Sequence, residues 1–147
     1  MLIAISAILL AAAPADPNKP ARLDNPELNC YRGFDKLVAD LDKKPGLTQV
    51  PADAPQTDRF QSPTEQALYT VTTKDNPAHP AIVRQQAVST PGGGVSVQML
   101  ACGYSRREVL QKFMNTFPAR NTALKAQLER GEAPFGVQAE GVPNPGQ

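Results

Sequence analysis

The chain has 147 residues, a formal net charge of +1, 15 prolines, two cysteines, one histidine and no tryptophan. That length fits one small domain, and the near-neutral charge supplies no electrostatic drive towards nucleic acid or an acidic membrane. Abundant proline without tryptophan suggests a modest core with irregular flanks rather than a compact enzyme.

The chain opens with "MLIAISAILLAAAPAD". Residues 2–13 form an apolar run of h-region length, and Ala13, Pro14 and Ala15 supply a small-residue cleavage site. Pro14 and Asp16 interrupt the run before the roughly 20 apolar residues that a membrane span needs. Residues 1–15 are therefore expected to be a signal peptide, although no Lys or Arg precedes the apolar run. The alternatives are an uncleaved anchor or a buried helix. Export to a periplasmic or extracellular location follows, with no stable membrane span after processing. Residues 16–25 would then be a mobile arm.

"NPEL" has the marks of a helix start. Asn25 can cap, Pro26 suits the first turn, and Glu27 favours the positive end of the dipole. Cys30, Phe34, Leu37, Val38 and Leu41 then recur on one helical face. Gly33 weakens the first half, so the firmest part is 34–43, and "KKPG" ends it. Residues 45–63, with Pro45, Pro51, Pro55 and Pro63, are expected to form a long surface loop, with Phe60 as a possible anchor.

Three strand candidates follow at 67–73, 81–90 and 94–104, the last alternating clearly. Their connections, "KDNPAH" and "PGGG", are short and rich in turn residues, which makes an antiparallel meander the economical arrangement. Ser105 and Glu108 have capping-box spacing before the stripe Val109, Leu110, Phe113, Met114 and Phe117. Pro118 either kinks that helix or opens a second one that Gly131 stops. Residues 131–147 have the composition of a disordered tail. The expected fold is α+β, a single domain over 26–130. A three-stranded meander packs against an N-terminal helix and one or two C-terminal helices.

In an exported chain an isolated pair of cysteines is most simply a disulfide. Cys30 to Cys102 would close a loop of about 70 residues, for which the chain-entropy model gives about 4 kcal/mol. Neither a reactive thiol nor a metal site has supporting spacing. One histidine and two paired cysteines do not make a zinc ligand set, and no D-x-D-x-D-G loop points to calcium. No metal or other cofactor is expected.

Among candidate catalytic residues, His79 stands first, four positions after Asp75. A hydrolase would use Asp75 to orient His79, and His79 to activate Ser62, Ser89 or Ser105. No serine has the G-x-S-x-G context. The competing reading is a proline-rich turn, in which Pro77 and Pro80 bias Asn76 and His79 towards extended geometry. "PGGG" leads into a strand rather than a helix, so it reads as a hairpin turn and not as a phosphate cradle. Arg106 and Arg107, beside Tyr104, are candidates for contact with an anion or ligand.

"LYTVTTKDNPAHPAIVRQQAV", followed by glycine and a further strand, resembles an element of small uncharacterised exported bacterial proteins. In these a strand runs through a HPAHPA-like turn into a strand carrying arginine. The likeness covers residues 68–97, with Asn76 where the first histidine would stand. It implies export and a hairpin, and no activity. The combined reading is a non-catalytic, disulfide-stabilised envelope protein with a binding or structural role, its partner an unidentified protein or small molecule. The alternative is a hydrolase-type or small-ligand site around His79.

Overall fold

The computed structural model describes residues 28–136. The expected signal peptide, the arm at 16–25, the helix start at Asn25 to Glu27, and residues 137–147 of the expected tail lie outside the described residues.

A 3-10 turn, Cys30–Arg32, precedes helix α1, Phe34–Asp42. Asn29 caps the turn by accepting the Tyr31 amide at 3.1 Å. Gly33 separates turn from helix with φ +84°, a left-handed conformation that glycine adopts without a steric penalty. The continuous helix expected from residue 26 is thus a turn and a shorter helix. α1 buries Leu37 and Leu41.

Five strands form one antiparallel sheet in chain order: β1 Thr48–Val50, β2 Thr57–Ser62, β3 Ala67–Thr72, β4 Ala81–Ser89 and β5 Val95–Gly103. The coarse α+β class is as expected, but the sheet has five strands, not three. β1 and β2 lie inside the stretch expected to be a loop. The four prolines of that stretch all fall outside the strand bounds, so they punctuate the pairing and remove no amide from it. β3 is the middle strand and every one of its residues is buried. The "PGGG" turn joins β4 to β5, with Gly92 and Gly93 at positive φ and the Thr90 amide donating to the Gly94 carbonyl at 2.9 Å.

Period-two alternation divides the sheet into two packed faces. Tyr69 of β3 lies opposite Phe60 of β2 and Arg84 of β4, and Arg84 lies opposite Leu100 of β5. This face carries Ala67, Val71, Ile82 and Cys102 and packs against Leu37 and Leu41 of α1. The other face carries Leu68, which packs with Leu124 and Phe135.

Two further helices follow among the described residues: α2, Arg107–Met114, and α3, Phe117–Glu129. The expected capping box does not form. α2 begins at Arg107 with Arg106 in the cap position and no side-chain cap bond, which leaves Ser105 one residue too early to serve. Pro118 opens α3 rather than kinking α2, since it stands in the first turn, where its missing amide costs nothing. α3 lies against β5 and buries Phe117 and Leu124. Phe135, expected to lie in a disordered tail, is 0% exposed. The packed unit therefore continues past residue 130, because an aromatic ring placed on the Leu68 face contributes more than the local composition suggests.

Candidate functional site

His79 stands next to last in the connection from β3 to β4, and its peptide bond to Pro80 is cis. Nδ1 lies 2.9 Å from the Thr72 carbonyl, which can only accept, so this ring nitrogen carries the proton. Thr72 Oγ1 lies 3.3 Å from the same nitrogen, donates to the Ala81 carbonyl at 3.1 Å and accepts the Ala81 amide at 2.8 Å. The imidazole also meets the Phe34 ring of α1 edge-on, with centroids 5.0 Å apart. His79 is therefore half-buried and fastens the β3–β4 turn to the first helix.

The proposed hydrolase partners are placed as follows. Asp75 is exposed in the turn. A backbone carbonyl stands at Nδ1, where a triad would place a carboxylate. Ser62 pairs with Ala67, at the end of β3 remote from Thr72, and Ser89 pairs with Val95, at the far end of β4. Ser105 lies at the same end of the sheet as His79, since the neighbouring Tyr104 amide donates to the Pro80 carbonyl at 3.0 Å. Its hydroxyl is buried and has no hydrogen-bond partner among the described residues.

Arg106 and Arg107 are exposed at the start of α2. Tyr104 does not join them in presenting a hydroxyl to solvent. Its O–H donates to the Cys30 carbonyl at 2.6 Å, and burial raises its pKa above the ordinary phenol value. Cys30 and Cys102 form the expected disulfide, with Cα atoms 5.3 Å apart. Bond and phenol together pin the 3-10 turn to β5 and the residue after it.

Two polar clusters escaped the sequence reading. The first lies under α1. Glu65, in the β2–β3 connection, accepts from Lys44 Nζ at 2.7 Å and from the Tyr69 hydroxyl at 2.8 Å. Burial alone would raise the Glu65 pKa, but these two hydrogen bonds and the charges of Lys44 and Arg84 outweigh it and hold it below the ordinary glutamate value. Lys44 also lies 5.8 Å from the centre of the Tyr69 ring. Beside this cluster is a cavity of about 270 Å³, walled by Leu37, Leu41, Tyr69 and Ile82. The Arg32–Asp40 ion pair, 2.8 Å long, also lines it.

The second cluster lies on the opposite face of the sheet. Arg59 of β2 and Arg120 of α3 both approach the carboxylate of Asp53, in the β1–β2 connection, at 3.7 and 3.6 Å. The Arg120 guanidinium lies 4.5 Å from the Phe117 ring centre. Nothing in the spacing of Asp53, Arg59 and Arg120 identifies this grouping. Only the β1–β2 hairpin and the packing of α3 unite them.

Among the described residues no three or more His, Cys, Asp or Glu side chains gather to hold a metal, and no helix is long and apolar enough to cross a membrane. Compared with family models, curated proteins and solved structures, the chain matches none.

Proposed function

We propose that this chain is a small exported protein of the cell envelope, stabilised by the Cys30–Cys102 disulfide, with a binding or structural role rather than a catalytic one. The observation that carries this reading is the disulfide itself. It joins the turn before α1 to the last strand within the buried core, an arrangement suited to an oxidising compartment. The placement of His79 supports the non-catalytic half. Its Nδ1 proton is directed to the backbone of Thr72 and its ring to Phe34, so the histidine does structural work in the turn.

Cell fractionation with intact-mass analysis tests the proposal. The expected result is a chain beginning at Asp16, recovered in the periplasm or medium, with no free thiol after denaturation. A chain retaining Met1 in the cytoplasm with two titratable thiols would overturn it.

A further inference from the structure

Arg59, Arg120 and Asp53 are arranged unlike an ordinary structural ion pair. Charge-assisted hydrogen bonds between guanidinium and carboxylate run about 2.7–2.9 Å. Here both contacts are longer, at 3.7 and 3.6 Å, and each arginine faces a different oxygen of the one carboxylate. Two positive groups thus converge on one negative group, leaving a positive excess in a site where the arginine side chains are only 22% and 17% exposed.

Donors on this face of the sheet are not used up. Arg59 Nε, Arg120 Nη1 and Thr70 Oγ1 are all buried without a hydrogen-bond partner among the described residues. Thr70 is 1% exposed and lies directly opposite Arg59 in the β2–β3 register, so both side chains leave the same face of the sheet. That is the face α3 covers, through Leu124 against Leu68 and Asn121 accepting from Gln85 at 2.6 Å. Phe117 holds the Arg120 guanidinium over its ring, which limits the orientations open to it. Leaving such donors buried and unpaired is unfavourable, and an oxyanion is the chemical group that would satisfy guanidinium and hydroxyl together. Asp53 is the most exposed member, at 33%, and is carried on the connection between β1 and β2, whereas the three donors stand on β2, β3 and α3.

We propose that Arg59, Arg120 and Thr70 form a binding site for a small oxyanion, a carboxylate or phosphate group, with Asp53 as the resident competitor. Displacement of Asp53 frees two guanidinium groups for the incoming anion, with the Thr70 hydroxyl on the same face opposite Arg59. This gives chemical content to the binding role proposed above and rests on that reading. The fractionation and thiol measurements do not depend on it, so the two fail separately.

The test is calorimetric titration of the oxidised protein with inorganic phosphate and, separately, with succinate, at ionic strength held constant with sodium chloride. Asp53→Asn removes the competing charge without touching a donor, and should tighten binding about fivefold or more over the parent protein. Arg120→Gln placed on Asp53→Asn should then weaken it by about tenfold or more. Should that double variant not fold, Thr70→Val on Asp53→Asn takes its place and should weaken binding severalfold. Tightening with phosphate alone assigns a phosphoryl ligand, and tightening with succinate assigns a carboxylate. No saturable binding of either anion to folded Asp53→Asn overturns the proposal and leaves the cluster a structural clip. Binding that neither Arg120→Gln nor Thr70→Val alters overturns it equally.

Discussion

Glu65 shows how one side chain in a connection can matter to stability. Its carboxylate takes a hydrogen bond from Lys44, just beyond α1, and another from Tyr69 on β3. Because its folded pKa is lowered, the ionised form stabilises the fold, fully so above the ordinary glutamate value. That contribution fades as pH falls from about 4.3 through the lowered folded value. Glu65→Gln should therefore cost about 1 kcal/mol at neutral pH, with the difference from the parent protein shrinking in acid. Urea unfolding at a series of pH values would measure this, and a difference that grows in acid would contradict it. His79 makes a second case. An exposed turn residue would tolerate alanine with a change under about 0.5 kcal/mol. This one packs on Phe34 and donates to Thr72, so His79→Ala should cost about 1–2 kcal/mol in the same measurement.

At the level of elements, the junction between β5 and α2 is the closest approach at any glycine among the described residues. A Cβ at Gly103 would stand 2.9 Å from Cγ of Leu110 and closer still to that side chain's methyl carbons. Gly103→Ala should force α2 away from the end of β5 and lower stability by about 1–3 kcal/mol. Hydrogen exchange provides the check, with protection lost first across Arg107–Met114. Retained protection there would show that Leu110 simply changes rotamer. The sequence reading of β3, β4 and β5 matched the structure to within a residue or two at each end. Those strands are long, rich in β-branched or alternating residues, and separated by glycine and proline turns. β1 and β2 were not legible for the opposite reason. β1 spans three residues, β2 alternates Thr57, Arg59 and Gln61 with only one large apolar side chain, Phe60, and prolines flank both. Their pairing is decided by β3, whose exposed edge they complete.

For the whole molecule, the disulfide sets the largest single constraint. It ties the turn before α1 to β5 across 72 positions of sequence. Since the effect falls mainly on the unfolded chain, reduction or Cys30→Ser with Cys102→Ser should cost about 2–5 kcal/mol with little change in far-ultraviolet circular dichroism. Thermal unfolding with and without reductant is the measurement. An unchanged midpoint would show that the packing of α1 and the Tyr104–Cys30 hydrogen bond already hold that end of the sheet.

The α+β class, the pairing of the two cysteines and the last three strands, β3 to β5, were determined by sequence alone. Each rests on a signal that needs no fold to read: helical spacing in α1, alternation in β5, two cysteines with no other partner. Tertiary structure alone decided the two added strands, the burial of Phe135 on Leu68, and the roles of His79, Tyr104 and Ser105. It also decided the meeting of Arg59 and Arg120 around Asp53, with Thr70 opposite Arg59 on the neighbouring strand. Edge strands and polar clusters draw their stability from neighbours distant in the chain, so no local pattern of residues announces them. A hydroxyl or guanidinium becomes a site or a structural tie only when the fold has settled what stands opposite it.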